Sequence, residues 1–166
     1  MTLDQFASLA DVVGVVLVIA SLVYVAKQLH QNTAAILAQS RQAVLDSAQQ
    51  ELYHHVENPS LTVAAATSRE LTPEEHVQLS QGLYAAFRIR QFAWLQFRDG
   101  TIDKAQWQTE EAVLRFYLDS PMVRTWWTKL GRAGFGDEYA DFVDSLIATQ
   151  PATNKLYEAL VSWTTA

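Results

Sequence analysis

The side chains best suited to chemistry in this chain lie close together in the sequence: Glu51, His54 and His55. A glutamate three residues before a histidine shares its helix face, and such a pair is half of the ligand set of di-iron helical bundles. Those sites need a second pair and two further glutamates, and no other glutamate here has a histidine three residues on. Adjacent histidines on a helix point about 100° apart. We therefore predict solvent-facing histidines, and neither a metal nor another cofactor.

Other catalytic signatures are missing from the sequence. There is no cysteine, no Gly-x-Ser-x-Gly, and neither of the common glycine-rich phosphate-binding motifs. Gly131, Gly134 and Gly136 follow a predicted helix rather than a strand, which favours a flexible joint. Neighbouring carboxylates such as Glu110/Glu111 and Asp141/Asp144 lie on predicted solvated faces, where a general acid–base pair is not expected. An enzyme is thus the least favoured class.

Arginines and aromatic residues alternate in two segments. The first holds Arg88, Arg90, Phe92, Trp94, Phe97 and Arg98, and the second holds Arg124, Trp126, Trp127, Lys129 and Arg132. A net charge of −6 argues against binding of nucleic acid. Two interpretations remain. The aromatics pack in a core under arginine stems, or Arg124, Trp126 and Trp127 contact a partner or the membrane surface.

These residues must be positioned by helices, the first of which has an uncharged run over residues 12–26 followed directly by Lys27. Fifteen residues span about 22 Å, and extension to Leu9 and Leu29 reaches the roughly 30 Å of a hydrocarbon core. We predict a single-pass membrane anchor, with the lipid bilayer as its partner. Its apolar surface includes Val12, Val15, Val16, Ile19, Leu22 and Val23. The alternative is a buried core helix of a soluble bundle.

The basic residues near this run predict its orientation. Lys27 and Arg41 follow it, and no lysine or arginine precedes it. By the positive-inside rule, the N-terminus is expected outside and the C-terminal domain in the cytoplasm. A cleaved signal peptide would carry a basic segment before the apolar run, so we expect the anchor to be retained.

The remaining pattern predicts an all-α chain with three parts: an anchor (residues 1–30), a continuous stalk helix (31–57) and a compact helical bundle (58–166). The expected helices cover residues 4–57, 60–69, 73–98, 103–118, 121–130, 138–149 and 152–163. Proline follows a capping residue at Asn58, Thr72 and Ser120, and Pro151 is expected to open the last helix. Residues Thr72 and Glu75 have the spacing of a capping box.

Anchor and stalk also carry signals for self-association. Apolar residues recur at intervals of seven positions, which is the spacing of a coiled coil. They form two series, Leu29/Ile36/Ala43 and Ala38/Leu45/Leu52. In the anchor, Ala10 and Gly14 form a small-xxx-small pair with Ser21 one heptad further on. The amide of Asn32 is a candidate for hydrogen bonding between neighbouring helices. The alternative is an ordinary helix that packs on its own domain.

Over nearly its whole length the chain resembles a widespread set of uncharacterised bacterial membrane proteins. The resemblance is carried by QLHQNT at residues 28–33, LTPEE at 71–75, FRDG at 97–100, Trp107, and the Ser120-Pro121 and Trp126-Trp127 pairs. It implies a bacterial inner-membrane location and this domain layout, and no established activity.

The function predicted from the sequence is a non-catalytic, membrane-anchored interaction module or scaffold that forms a homo-oligomer through anchor and stalk. The alternative is an accessory subunit of a larger membrane complex, such as a transporter, sensor or respiratory assembly. The two differ in their partner, which is a second copy of the chain in one case and a different membrane protein in the other.

Overall fold

The computed structural model describes residues 3–57, 59–67 and 69–163, and within these ranges all side chains except those of residues 3–12, 54–55 and 65–66. The all-α class is confirmed: the described residues contain helices and no strand. The α-helices are α1 (Leu3–Glu57), α2 (Pro59–Thr67), α3 (Pro73–Arg98), α4 (Lys104–Leu118), α5 (Pro121–Trp126), α6 (Asp137–Thr149) and α7 (Lys155–Ser162).

The chain divides into two compact units, Met1–Gln39 and Ser40–Ala166. The predicted division into anchor, stalk and bundle at residues 30 and 57 stays a prediction. The C-terminal part of α1 belongs to the second unit because Val44 is buried there against Ala93, Ile102 and Trp107. Burial of apolar surface, rather than the end of the helix, sets the boundary.

The predicted helix starts at Pro73 and Pro121 are confirmed, although only Thr72, and not Ser120, caps its helix with a side-chain hydrogen bond. Thr72 accepts a hydrogen bond from the Glu75 N–H, and the Glu75 carboxylate accepts one from the Thr72 N–H, which completes the capping box of α3. Asp103 caps α4 with a single bond, in which its carboxylate accepts from the Gln106 N–H at 2.9 Å. Asn58 lies outside the described residues.

The predicted start of the last helix at Pro151 is wrong, because α7 begins at Lys155. Asp119, at the end of α4, determines this start. Its carboxylate accepts hydrogen bonds from the Thr153 N–H and hydroxyl and from the Leu156 N–H. Asn154 adopts a left-handed conformation with φ of 58°. A residue 37 positions away in sequence thus supplies the N-terminal cap.

The predicted helix over residues 121–130 ends early. After α5 the chain forms a π-helical turn (Trp127–Gly131) and a 3₁₀ turn (Arg132–Gly134). A Cβ atom at Gly131 would lie 2.7 Å from the Trp126 ring, so glycine is needed here for close packing. The expected flexible joint is instead a packed turn.

The main core lies between α3, α4, α5 and α6, with Phe87 at its centre. The Phe87 ring stacks on Trp127 at 5.2 Å between centroids and meets Trp126 edge-on at 5.3 Å. One face of α6 packs on this core. Tyr139, Val143 and Leu146 are buried, and Phe142 and Ile147 are half-buried.

Candidate functional site

The most informative site is the segment of α1 within the second unit, residues 40–57, because its two faces differ in chemistry. Val44, Ser47, Ala48 and Glu51 follow the i, i+3, i+4, i+7 spacing of one helix face. Val44 and the Glu51 side chain are buried, and Ser47 and Ala48 are half-buried. This packed face holds the segment on its domain.

A buried charge cluster fixes the packed face at Glu51. One Glu51 oxygen accepts a hydrogen bond from the Arg90 guanidinium of α3, and the other accepts one from the Tyr117 hydroxyl of α4 at 2.5 Å. The Arg90 Nε lies 3.4 Å from a Glu110 oxygen, also on α4. Three helices therefore meet at one guanidinium.

Two carboxylates share one guanidinium in this cluster, so its charges do not balance. Burial raises the pKa of Glu110, and the neighbouring Glu51 carboxylate raises it further, while Arg90 acts in the opposite direction. Burial also raises the pKa of Tyr117. The charge of Glu51 and its hydrogen bond with the Tyr117 hydroxyl raise this pKa further. Tyr117 is thus held as a neutral hydrogen-bond donor.

The solvated position predicted for Glu110 is wrong, because Glu110 is buried. The sequence did carry a signal for this. Glu110 lies on the same face of α4 as the buried residues Trp107, Leu114 and Tyr117, at intervals of three, four and three residues. A charged residue within an apolar stripe indicates a buried ion pair. Glu111, on the neighbouring face, pairs with Arg115 at 2.7 Å as expected of a surface residue.

The opposite side of the α1 segment is apolar yet exposed. Leu45, Leu52 and Val56 expose 55 %, 65 % and 75 % of their surface, and Gln42 and Gln49 between them are also exposed. At 100° per residue this stripe is centred about 135° from the packed face. The domain therefore leaves the stripe uncovered. We refer to Gln42, Leu45, Gln49, Leu52 and Val56 as the α1 stripe.

The predicted anchor residues lie on a helix that is long and apolar enough to cross a membrane, over Val13–Tyr53. Val15, Val16, Ile19, Leu22 and Val23 are all exposed, as the lipid-facing residues of an anchor would be. The Val12 side chain lies outside the described residues. Exposure of residues 13–26 disfavours the alternative of a buried core helix.

The residues predicted for self-association differ in their surroundings. Gly14, Ser21, Leu29, Asn32 and Ile36 are exposed. Ala43, in contrast, is half-buried beside Val44. The series Leu29/Ile36/Ala43 therefore ends against the domain, whereas the series Ala38/Leu45/Leu52 stays open. The Ala10 side chain lies outside the described residues.

The structure contradicts the surface contact considered for Trp126 and Trp127 and agrees with the core-packing alternative. Their exposed fractions are 8 % and 1 %. The Trp126 indole N–H donates to the Ser80 hydroxyl at 2.9 Å, and that of Trp127 donates to the Asp144 carboxylate at 2.8 Å. Both indoles pack on Phe87, which sequence spacing within one helix does not reveal.

Arg124 also has an internal role rather than the predicted surface contact. Its guanidinium donates to the carbonyl oxygens of Leu118 at 2.5 Å, Ile147 at 3.2 Å and Gln150 at 2.6 Å. These carbonyls close α4 and α6, so one cation satisfies the ends of two helices.

The remaining polar candidates have structural partners or lie outside the description. Asp141 and Asp144 both pair with Arg132, at 2.8 and 2.7 Å. The side chains of His54 and His55 are outside the described residues. Among the residues that are described, no group of three or more His, Asp or Glu is arranged to hold a metal ion.

Neither a protein-family model, a characterised protein nor a solved structure matches this chain. The resemblance to bacterial membrane proteins stays a prediction, and the function has to be argued from the geometry of α1.

Proposed function

We propose that this protein is a membrane-anchored helical interaction module that assembles with further copies of itself through α1. The observation that carries the proposal is the α1 stripe. A helix whose packed face is fixed by Val44 and Glu51 leaves three large apolar side chains in water on another face. Full burial of an exposed leucine is worth about 1.5–3 kcal/mol, so covering the stripe contributes favourably to association.

The anchor supports the same proposal. A Cβ atom added at Gly14 would meet nothing within 4 Å, so the chain itself does not use the space that this glycine leaves. The Ser21 hydroxyl donates to the Leu17 carbonyl at 2.8 Å and leaves a small, satisfied surface. Small residues on a membrane helix allow close approach of a second helix.

The proposed location is the bacterial inner membrane, with the N-terminus outside and residues 40–166 in the cytoplasm. Lys27 and Arg41 after the apolar run favour this orientation. Because the chain has no cysteine, a single Gln108→Cys on the exposed face of α4 reports it. A membrane-impermeant maleimide is expected to label inverted vesicles and not intact spheroplasts; the reverse pattern would overturn the orientation.

Native mass spectrometry of the full chain in a mild detergent tests the assembly. We expect an integer multiple, two or greater, of the 18.6 kDa chain mass. Leu45→Glu places a charge on the stripe and is expected to shift the distribution to the monomer. Val77→Glu is the matched control, because Val77 is an apolar residue of α3 with 57 % exposure, close to the 55 % of Leu45. The control is expected to keep the wild-type mass.

The measurement has two outcomes against the proposal. An unchanged mass for Leu45→Glu, or a monomeric wild type, would overturn assembly through the stripe. A constant additional mass would instead indicate an accessory subunit of a larger complex.

A second apolar surface favours that accessory-subunit function. It consists of exposed residues in and just after α7: Leu156, Leu160, Val161 and Trp163. This apolar surface is separate in sequence from the α1 stripe.

A further inference from the structure

We infer that two copies of this chain pair along the α1 stripe in parallel and in register, so that each stripe residue faces the same residue of the second copy. The inference rests on the proposed self-association and specifies its geometry.

The α1 stripe has the spacing of a two-helix seam. Its residues are separated alternately by three and four positions, with Gln42, Gln49 and Val56 at heptad position a and Leu45 and Leu52 at position d. Counted back along the sequence, the same register places Gly14 and Ser21 at a. From residue 14 to residue 56 no a or d position holds a charged residue.

The contents of these positions favour a specific register. Leucine at d is the choice of parallel dimers, and a polar residue at a restricts the helices to the alignment in which it meets a polar partner. In register, Gln42 and Gln49 each face a glutamine of the second copy. A displacement of three or four residues would bring Gln42 and Gln49 against apolar residues, Leu45 and Leu52 or Ala38 and Leu45, and leave their amides without partners.

Charged residues beside the seam select the same arrangement. Arg41 lies at position g and Asp46 at position e, and in a parallel pair a g residue contacts the e residue five positions on in the other helix. In register, Arg41 therefore meets Asp46 of the second copy, twice by symmetry. A shift of one heptad would place Arg41 against Gln39 or Tyr53 instead. Antiparallel pairing opposes g with g and e with e, and brings no such opposite charges together.

The contacts that these residues make within one chain are exposed and exchangeable. Arg41 lies 3.2 Å from Asp103, with both side chains about half exposed. Asp46 accepts a hydrogen bond from the Gln42 amide at 2.8 Å, also at the surface. Exposed pairs of this kind contribute little, so a second copy can replace them. Anchors inserted in one direction impose the parallel orientation independently.

Cysteine cross-linking in membranes tests the register, since the chain has no cysteine of its own. Leu45→Cys and Leu52→Cys are each expected to form a disulfide-linked dimer on mild oxidation, because the d residues of a parallel pair lie within disulfide reach. Gln50→Cys is the control, an exposed residue at position b that points away from the seam. Coexpressed Leu45→Cys and Leu52→Cys chains of different tag length should give little mixed dimer.

Charge exchange tests the flanking pair. Arg41→Glu and Asp46→Lys are each expected to raise the dimer dissociation constant about two- to five-fold, and the double variant is expected to restore it. Asp103→Asn removes only the contact within the chain, and should leave the dimer as tight as wild type or slightly tighter.

The results distinguish the inference from the proposed function. A wild type that remains a monomer in membranes means that self-association itself fails. A dimer that cross-links mainly between Leu45→Cys and Leu52→Cys chains is antiparallel or shifted by a heptad, and overturns the register alone. A dimer that cross-links through Gln50→Cys and not through Leu45→Cys uses another face and overturns the seam.

Discussion

The two faces of α1 within residues 40–57 carry opposite chemistry in opposite environments. The packed face holds a buried carboxylate, Glu51, and one valine. The stripe holds two leucines, a valine and two glutamines, all exposed. A charge lies inside the protein while large aliphatic side chains lie outside, the reverse of the usual distribution.

This difference shows that burial on a helix is decided by its neighbours. Val44 and Leu45 are adjacent and both aliphatic, yet Val44 is fully buried and Leu45 is 55 % exposed. Val44 packs with Trp107 and Ala93, whereas Leu45 stays more than half exposed among the residues of the domain that the structure describes. The packed face thus contributes to folding, and the stripe is available for association.

The largest expected effect on stability comes from removing the cation that holds the packed face, Arg90. Arg90→Ala leaves the Glu51 and Glu110 carboxylates buried without their cation, which should lower the free energy of unfolding by about 3–5 kcal/mol. Denaturant unfolding of the full chain in detergent, followed by circular dichroism, measures this loss. Arg98→Ala, which removes the exposed pair with Glu138, is the control and should unfold close to wild type. Equal stability of the two variants would mean that the cluster does not hold α1.

A smaller effect on stability is expected from truncating one aliphatic side chain on each face of α1. Val44→Ala removes fully buried methyl groups and should cost about 2 kcal/mol of unfolding free energy. Leu45→Ala should change it by no more than about 0.5 kcal/mol when measured at dilutions where every variant is monomeric. In the mass measurement the order reverses, and Leu45→Ala weakens assembly more than Val44→Ala. The comparison breaks down if Leu45→Ala destabilises the monomer as much as Val44→Ala.

The smallest expected effect is the pH dependence of stability that Glu110 causes in the buried charge cluster. In the folded chain the pKa of Glu110 lies above the 4.5 of an ordinary glutamate side chain, because burial and the Glu51 charge disfavour its ionised form. The folded chain therefore retains this proton above pH 4.5, where the unfolded chain releases it. Stability falls as pH rises through this range, and Glu110→Gln removes that fall.

Unfolding curves at several pH values measure this prediction. The stability of Glu110→Gln relative to wild type should increase from pH 4.5 upward and level off once Glu110 is ionised in the folded chain. A difference that stays constant with pH would show that Glu110 titrates alike in both states. Glu111→Gln is the matched control, since Glu111 lies on the neighbouring, partly exposed face of the same helix and pairs with Arg115.

Much of the helix layout followed from local sequence. The bounds of α3 were predicted to the residue, because Pro73 and the Thr72/Glu75 box start the helix and Asp99-Gly100 ends it. Gly100 has a φ of 72°, the left-handed conformation that glycine supplies at a helix end. The start of α7 was wrong because its cap comes from Asp119, which no local pattern connects to it.

The sequence by itself determined the all-α class, the apolar run near the N-terminus and the heptad spacing of α1, because each follows from the order of residue types along the chain. Only the tertiary structure decided that Glu110 and both Trp126 and Trp127 are buried, that Arg124 closes two helices, and which heptad series remains open. Periodicity states which residues share a face, and burial of that face depends on helices that are distant in sequence. The stripe through Leu45 and Leu52 is exposed because the domain contacts the other side of α1. There it packs on Val44 and hydrogen-bonds to Glu51.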